Sequence, residues 1–525
     1  MFKRFSPYIF VFLIFLIPRV IGLGGDINNY DGAYYWHPRI DDFIKEFLNG
    51  NYIKTYEHYH PGVTVMWLAG LSKYAFESMF KFVYHYDPHY LAEQFIKINF
   101  VSVFPLVFVI SLLGTYQFFL IKNLRNNKVA WWFVVLLSFE PFFLGVSRFL
   151  HLTALTTMFM FASVLSILYY IKLADEKKDA FKYFLLSAIF CGLAVLTRID
   201  GVLSGIVSIV FLMYRTAFID EPWIKKLFLL IKQILFYVLV SFGVFVLVFP
   251  AMWVDPYGIT KRIIDEGFFD TATQDAGDAP NFNFGLLFYP SFIFFRSSVF
   301  LVVVSAFSFV AFFVRYKKSF KDNLELYNWI YFGLLLIMLT APGKMIDRYV
   351  IYFYPSLCLL CALFLSNVKS ELLKKAHTII FILQTIIILY CYYPVYSFYY
   401  SDAILGAKGF SAFGYDVKNR GEYYAQAAEY LNKKNSAADL NVVLSHREQM
   451  NTFGKFFYGK TYSNPKFLPN GANVDYIVAR PSLDHIVPKT CVLEKISSPK
   501  FPFDYPIVKI YKCEGINNEY KDFKN

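Results

Sequence analysis

Apolar stretches of about 20 residues recur along most of this chain, and a helix needs about that length to cross the hydrocarbon layer of a bilayer. Because backbone groups in lipid must hydrogen-bond within their own segment, these stretches predict helices. The chain is 57% hydrophobic and 17% charged over 525 residues, which is too apolar for a soluble protein. About eleven membrane-spanning helices are predicted, near residues 8–23, 99–121, 130–146, 150–171, 181–197, 201–214, 227–250, 296–314, 327–341, 349–366 and 376–393.

The segment between the first two spans, residues 24–98, is polar and rich in aromatic residues. The first span follows Lys3 and Arg4 and lacks a small-residue cleavage site, so we interpret it as an uncleaved anchor. Residues 40–48 place apolar side chains at helical spacing with charges between them, which predicts a helix on the membrane surface. The apolar run 63–76 is too short to span the bilayer comfortably.

Lysine and arginine residues concentrate in alternate loops, and such loops face the cytoplasm. These residues are Lys122, Arg125, Lys128, Lys172, Lys177, Lys178, Arg215, Lys225, Lys226, Arg315, Lys317, Lys318, Lys369, Lys374 and Lys375. The other loops, including 24–98, 251–295 and the tail from residue 394, then lie outside. The pattern predicts a multi-pass plasma-membrane protein with a cytoplasmic N-terminus, and it accounts for the net charge of +12 without nucleic acid.

The chain becomes more polar after residue 393. We therefore predict a membrane domain at 1–393 and a soluble, extracytoplasmic α/β domain at 394–525. Short elements are predicted in this tail: a helix at 423–431 and strands at 441–444, 476–478 and 507–511. Cys491 and Cys513 could pair in an oxidising compartment. The predicted fold class is an α-helical integral membrane protein with a small C-terminal α/β domain.

Polar and ionisable residues gather at the predicted outer ends of the spans. They are Asp26, Asp31, His60, Glu140, Arg148, His151, Asp255, Arg296, Lys344, Asp347 and Arg348. An ionised side chain near bilayer depth costs roughly 2.5 kcal/mol or more, so it usually has a partner or a function. Carboxylates beside cations suit the transfer of a sugar from a lipid phosphate to a hydroxyl. A carboxylate takes the hydroxyl proton, and cations neutralise the departing phosphate.

Each of these residues also has a structural alternative. Turn and cap positions explain some of the carboxylates, such as Asp26 in a turn and Glu140 at a helix end near Arg148. His60 and His151 are compatible with packing at the membrane interface. The remaining alternatives are a local ion pair between Asp347 and Arg348 and a Lys344 side chain that extends to lipid headgroups.

Several short motifs follow one another in the order typical of one enzyme family. They are Tyr30-Asp31-Gly32 with Tyr35-Trp36, His60-Pro61-Gly62-Val63, Glu140-Pro141-Phe142-Phe143 through Ser147-Arg148 and His151, Gly192-Leu193-Ala194 through Thr197-Arg198, Pro250-Ala251-Met252-Trp253, and Lys344 to Tyr349. In this order they resemble the polyprenyl-phosphate-dependent glycosyltransferases of the C superfold. The nearest branches are the protein O-mannosyltransferases and the lipid A aminoarabinose transferases, and the resemblance covers nearly the whole chain.

The resemblance implies roles for individual residues. Asp31 would be the catalytic base, and Glu140 would be the second acidic residue of the site. The implied residues for binding the donor and its lipid phosphate are Arg148, Arg296, Lys344, Arg348, His60 and Arg198. Enzymes of this branch generally need no bound metal, so neither a metal site nor another cofactor is expected.

Three positions depart from the family pattern. Gly32 stands where the motif has a glutamate, and Thr153 stands where an acidic residue is common. Arg198 replaces a lysine, which keeps the charge but changes its geometry. These departures leave the identity of the substrate open, and they also leave open an inactive binding homologue.

The function predicted is an inverting membrane glycosyltransferase that works on the outer face. Its partners would be a polyprenyl-phosphate-linked sugar donor, an acceptor hydroxyl on a protein, a lipid or a glycan, and the lipids of the membrane. One alternative is an oligosaccharide ligase or oligosaccharyltransferase, which would call for metal-binding carboxylates. Another is a transporter, for which inverted repeats and charges at the midplane of the bilayer would be expected.

Overall fold

The structure is a computed structural model, and it describes residues 2–27, 29–88, 92–273, 285–315, 324–341, 345–418, 420–446 and 450–517. Most of the first 400 residues are helical. The helices of this part are α1 Phe2–Val20, α2 His37–Leu48, α3 Val63–Tyr84, α4 Ala92–Leu124, α5 Asn127–Phe139, α6 Pro141–Val146, α7 Thr153–Asp175, α8 Phe181–Thr197, α9 Val202–Ala217, α10 Trp223–Val248, α11 Ala251–Val254, α12 Pro256–Thr273, α13 Phe288–Arg296, α14 Val299–Arg315, α15 Leu324–Thr340, α16 Tyr354–Ser366 and α17 Glu371–Tyr392.

Apolar helices, some long and some short, coincide with every span predicted from the sequence. Within the described ranges, six are long and apolar enough to cross a membrane: Glu93–Leu124, Thr153–Asp175, Ile199–Ala217, Trp223–Val248, Asp347–Ser366 and Glu371–Tyr392. Shorter apolar helices are Ser6–Val20, Asn127–Phe139, Phe181–Thr197, Gly285–Arg296, Val299–Val314 and Leu324–Thr340. The predicted class of helical membrane protein is therefore confirmed.

The predicted span 130–146 is interrupted at Glu140. This residue has φ −62° and ψ 116°, an extended conformation, and Pro141 then begins α6. A residue before proline avoids the helical region, and proline has no N–H for a helical hydrogen bond, so the break is encoded locally. Helix α6 packs closely against the segment that follows α17. A Cβ atom added at Gly145 would lie only 2.1 Å from the backbone nitrogen of Ser397.

The first loop contains a helix where the amphipathic pattern predicts one. Helix α2 buries Ile40, Phe43 and Ile44, and this face packs against α3, where a Cβ at Gly70 would lie 2.6 Å from the Ile44 side chain. Helix α3 extends the predicted apolar run to Tyr84. The position of α2 on the membrane surface stays a prediction.

Helix α7 lies at the centre of the helical domain, with 89% of its most apolar window buried, whereas α10 and α17 are only 11% buried. Small polar residues join the central helices. The Ser163 hydroxyl on α7 lies 3.0 Å from the Tyr237 hydroxyl on α10, and Ser187 on α8 donates to the Ser163 carbonyl. Such interhelical hydrogen bonds satisfy polar groups that lipid cannot.

Three of the basic loops lie together at the end of the helical domain away from Glu140. Lys172 Nζ donates to the carbonyl of Asn123 at 2.8 Å, and Arg215 pairs with Asp175 at 2.8 Å. These contacts join three of the loops that the charge pattern assigns to one face. Which side of the membrane this face occupies stays a prediction.

The tail contains short helices and a five-stranded sheet in the order β2-β1-β3-β5-β4. Its helices are α18 Ala407–Ala412, α19 Tyr424–Asn432 and α20 Met450–Phe456, and its strands are β1 Asn441–Leu444, β2 Lys460–Tyr462, β3 Tyr476–Ala479, β4 Val492–Ser497 and β5 Val508–Lys512. Strands β2, β1 and β3 are parallel, and β5 is antiparallel to both β3 and β4. The predicted helix and three strands are all present. Strands β2 and β4 were not predicted, because both lie at the edges of the sheet, where β4 is mostly exposed and β2 has no buried residue.

Cys491 and Cys513 form a disulfide between the residue before β4 and the residue after β5. The tail also packs onto the helical domain. The Phe456 ring of α20 lies 5.1 Å from Phe95 of α4, and Gln426 of α19 donates to the carbonyl of Gly25. These contacts place α19 and α20 against the segment after α1 and the start of α4. The predicted domain boundary at residue 393 remains a prediction.

Candidate active site

Asp31 lies in a π-helical segment, Asn29–Trp36, that runs into α2. Its carboxylate forms an ion pair with Arg348, and its second oxygen lies 3.7 Å from Nε2 of His151. The Asp31 and Arg348 side chains are 18% and 19% exposed. The structure thus brings together the predicted base and a predicted phosphate ligand that are far apart in sequence.

The charge state of Asp31 is set by opposing effects. Burial alone would raise the pKa of this carboxyl, but the positive charge of Arg348, helped by a hydrogen bond from His151, outweighs it. Together they hold the pKa of Asp31 well below its usual value of 3.8. Asp31 is therefore ionised at neutral pH and able to accept a proton.

His151 is oriented by Thr153, a position that departs from the family pattern. The Thr153 backbone N–H donates to Nδ1 of His151 at 3.1 Å, and the Thr153 hydroxyl lies 3.0 Å from the same atom. In a neutral ring Nε2 then carries the proton, and Nε2 is the atom that faces Asp31. Burial lowers the pKa of His151 to about 4, so the ring is neutral at pH 7.

Asp347 lies between two guanidinium groups. Arg296 donates to one Asp347 oxygen at 2.9 Å, and Arg420 pairs with the other. Arg296 also donates to the Tyr399 carbonyl and lies 3.7 Å from the centroid of the Tyr400 ring. Arg420 comes from the tail and was not predicted as a site residue, because nothing local in the sequence indicates where the tail docks.

Several of these residues line one small cavity beside the Asp31–Arg348 pair, which we call the Asp31 cavity. Its lining includes Arg296, Arg348, His151, Lys418, Arg420 and Glu422. The cavity is about 20 Å³, which is room for about one water molecule. Burial, together with Arg420, lowers the pKa of Lys418 to about 8. Among the described residues, Nε of Arg296 and Nε of Arg348 are buried without a hydrogen-bond acceptor.

Arg198 and His60 form a second group of contacts, which is joined to Arg348 through Tyr349. Nε2 of His60 lies 3.2 Å from the Arg198 guanidinium, which also pairs with Asp200 at 2.9 Å. The same guanidinium lies 4.3 Å from the centroid of the Tyr349 ring and donates to its hydroxyl. Since Tyr349 follows Arg348, the two groups of cations share one segment of the chain. Asp200, the partner of Arg198, was not predicted as a site residue.

Glu140 and Arg148 make their contacts elsewhere. Both carboxylate oxygens of Glu140 accept hydrogen bonds from Ser298, one from the backbone N–H and one from the hydroxyl, each at 2.8 Å. Arg148 donates to the Pro18 carbonyl and lies over the Tyr396 ring. The structure therefore does not place either residue at the Asp31 cavity, and their site roles remain predictions. Lys344 lies outside the described residues.

Gly32, another departure from the family pattern, has little space around it. A Cβ at this position would lie 2.8 Å from Cγ1 of Ile27. The glutamate that the motif has elsewhere would require Ile27 to move. The local packing therefore favours glycine over glutamate at position 32.

An apolar groove begins beside Arg198. It has a volume of about 340 Å³ and lies between α8, α9, α10 and α12, with Ile199, Val195 and Ile263 among its lining residues. Gly192 and Gly205 also line it. A Cβ at Gly205 would lie 2.9 Å from Sγ of Cys191, so the helices approach closely at that point.

Comparison with known proteins identifies one matching family model and several solved structures of similar fold. A family model described as dolichyl-phosphate-mannose-protein mannosyltransferase matches residues 54–254. The resemblance to polyprenyl-phosphate-dependent glycosyltransferases is thus confirmed. The predicted enzyme class, a glycosyltransferase dependent on a lipid-phosphate sugar, is confirmed with it. A search of curated protein sequences finds no match.

Solved structures confirm the fold. ArnT from Cupriavidus metallidurans bound to undecaprenyl phosphate matches with a TM-score of 0.51 at 11% identity, covering 97% of this chain and 98% of ArnT. The apo structure of ArnT matches with a TM-score of 0.51 at 10% identity, covering 96% of this chain and 98% of ArnT. The apo oligosaccharyltransferase of Archaeoglobus fulgidus gives 0.46 at 13% identity, with 91% of this chain and 70% of that chain covered. The match to ArnT extends over nearly the whole of both chains, so the chain has the C superfold.

Proposed function

We propose that the chain transfers a sugar from a polyprenyl-phosphate carrier to an acceptor hydroxyl at the Asp31 cavity. The observation that carries this proposal is an ionised carboxylate, Asp31, beside a cavity lined by Arg296, Arg348 and Arg420. Asp31 takes the proton of the acceptor hydroxyl, and the hydroxyl oxygen forms a bond to the anomeric carbon. The bond from that carbon to the phosphate oxygen breaks, and the lipid phosphate leaves with the electron pair. Attack opposite the leaving group inverts the anomeric centre.

The arginines neutralise the leaving phosphate. A guanidinium binds phosphate oxygens through two parallel N–H groups, and such charge-assisted bonds are among the strongest hydrogen bonds in proteins. Arg348 pairs with Asp31 in this structure, so a bound phosphate would compete with the carboxylate for the same guanidinium. Donor binding would then release Asp31 from its partner and make it a stronger base. Lys344 is proposed as a further phosphate ligand on the basis of the sequence.

The apolar groove supplies a place for the isoprenoid chain. The chain would enter from the bilayer and not from water, so van der Waals packing against the groove, rather than the hydrophobic effect, would hold it there. Since the groove begins at Ile199, a chain within it would bring its phosphate toward Arg198 and the cavity.

We further propose that the site faces the outside of the cell, with the N-terminus in the cytoplasm. The Cys491–Cys513 disulfide in the tail supports this, because disulfides persist in oxidising compartments. The basic loops at the opposite end of the helices support it as well.

The test is transfer by the purified protein from radiolabelled polyprenyl-phosphate sugars. Asp31→Asn removes the proton acceptor and keeps the shape of the side chain, so we expect kcat to fall by about 10²–10⁴-fold. Asp42→Asn, an exposed aspartate on α2, is the matched control and should retain activity. An Asp31→Asn variant with full activity would rule out the proposed base.

A further inference from the structure

A second cavity lies at the end of the helical domain away from the Asp31 cavity. It has a volume of about 500 Å³ and is formed by α5, α16 and α17, and we call it the basic cleft. Helix α5 starts at this cleft with Asn127 and ends at Phe139, next to Glu140. Helix α17 likewise starts here and ends at Tyr392, near Tyr399 and Tyr400. The cleft is therefore separated from the proposed active site by the length of α5 and of α17.

Positive charge is concentrated at its mouth. Lys128, Lys374 and His377 line it, and the amino-terminal ends of α5 and α17 both point to it, which adds the positive ends of two helix dipoles. One carboxylate is close, since Glu371 pairs with Lys374 at 2.5 Å. Lys128 is also near Glu371, so two lysines outweigh this carboxylate and the net charge at the mouth is positive.

The walls of the cleft are apolar and aromatic. Trp131 and Trp132 stand one turn inside the mouth on α5, followed by Val135, and Phe381 and Ile382 face them from α17. The rings of Trp132 and Phe381 lie 6.4 Å apart. Tryptophan side chains favour the level of the lipid headgroups. Because α17 is only 11% buried, the cleft is open sideways to the hydrocarbon layer.

We propose that the basic cleft binds an anionic glycerophospholipid from the leaflet opposite the active site. Lys128, Lys374 and His377 hold its phosphate, and the tryptophans and Phe381 contact its acyl chains. Free phosphate would leave the apolar walls uncovered, and a zwitterionic phospholipid would present its own cation to the lysines. Basic pockets between membrane helices are suited to anionic headgroups.

Native mass spectrometry of the full chain, with phosphatidylglycerol or phosphatidylcholine of the same acyl chains added in detergent, tests the charge requirement. The wild-type protein should retain phosphatidylglycerol at least about tenfold better than phosphatidylcholine, given the contribution of each lysine. The double variant Lys128→Gln/Lys374→Gln should lose this preference.

Lys225→Gln/Lys226→Gln is the matched control, because it also removes two lysines, one of which pairs with a glutamate, Glu221. This control should keep the preference. Equal retention of both lipids by the wild type, or equal loss in both double variants, would overturn the proposal.

Fluorescence in vesicles locates the lipid and does not depend on the lysine variants. Brominated phosphatidylglycerol in phosphatidylcholine vesicles should quench the protein more than brominated phosphatidylcholine at the same mole fraction. Trp131→Phe/Trp132→Phe should remove this difference, although five of the seven tryptophans remain. A difference that survives in this variant would place the lipid elsewhere and contradict the assignment.

Discussion

Asp31 and Arg348 are 317 positions apart in sequence, yet their charged groups form an ion pair. The sequence predicts both as site residues, since charges at the ends of apolar spans usually have a partner or a function. It does not predict which charges meet, because that depends on how the helices pack. The role of Thr153 in orienting His151 is also visible only in three dimensions.

Arg348→Gln tests the effect of this ion pair on Asp31. Arg348 holds the pKa of Asp31 below its usual value, whereas burial acts in the opposite direction. Without Arg348, burial dominates, and the pKa of Asp31 rises. The acidic limb of the pH profile of kcat/KM, which reports the free enzyme, should therefore move to higher pH.

Arg262→Gln, which removes an exposed arginine next to Glu266, should leave that limb unchanged. A profile of Arg348→Gln that superimposes on that of the wild type would show that Asp31 does not control the acidic limb.

At the scale of single elements, Glu140 lies at the break between α5 and α6. The break between α5 and α6 follows from Pro141 and is readable from the sequence. The partner of Glu140 is not readable, because Ser298 is 158 positions away and just before α14. The buried Glu140 carboxylate accepts two hydrogen bonds, which contribute to stability. The resemblance assigns the same carboxylate a role in the site.

Two substitutions at Glu140 separate structure from catalysis. Glu140→Ala leaves the buried Ser298 N–H without its acceptor, which should lower the free energy of unfolding by about 1–3 kcal/mol. Glu140→Gln keeps an oxygen acceptor, so its free energy of unfolding should fall by less. Thermal unfolding in detergent measures both effects.

If Glu140 is structural, transfer per folded molecule remains close to the wild-type value in Glu140→Gln. Loss of turnover in Glu140→Gln with an unchanged Tm would instead support the site role implied by the resemblance.

At the scale of the whole molecule, the alternation of apolar spans and basic loops predicts the helical domain well, because burial in lipid depends on length and composition. The periodicity of the tail predicts most of its sheet. Neither pattern predicts how the tail docks, since that depends on side-chain contacts between distant segments. Arg420 was missed for this reason, although it contributes a guanidinium to the Asp31 cavity.

Arg420→Gln measures the contribution of the tail to donor binding. The variant removes one of the cations around the cavity and breaks the ion pair between Arg420 and Asp347, while the pair between Arg296 and Asp347 remains. We expect a KM for the donor raised by about tenfold or more, since a charge-assisted hydrogen bond contributes about 1.5–3 kcal/mol.

Lys433→Gln, an exposed lysine of the same tail that pairs with Glu429, is the control and should have no effect. A wild-type donor KM in Arg420→Gln would mean that the guanidinium serves only to hold the tail in place.

The cavity beside the Asp31–Arg348 pair has space for about one water molecule, which limits what else can react there. A carboxylate able to activate a sugar acceptor is equally able to activate water, and water is far more abundant than any acceptor. Closely packed arginines and aromatic rings keep solvent scarce in the cavity beside this base. The packing that leaves the Asp31 cavity too small for its substrates in this structure therefore also favours glycosyl transfer over hydrolysis of the donor.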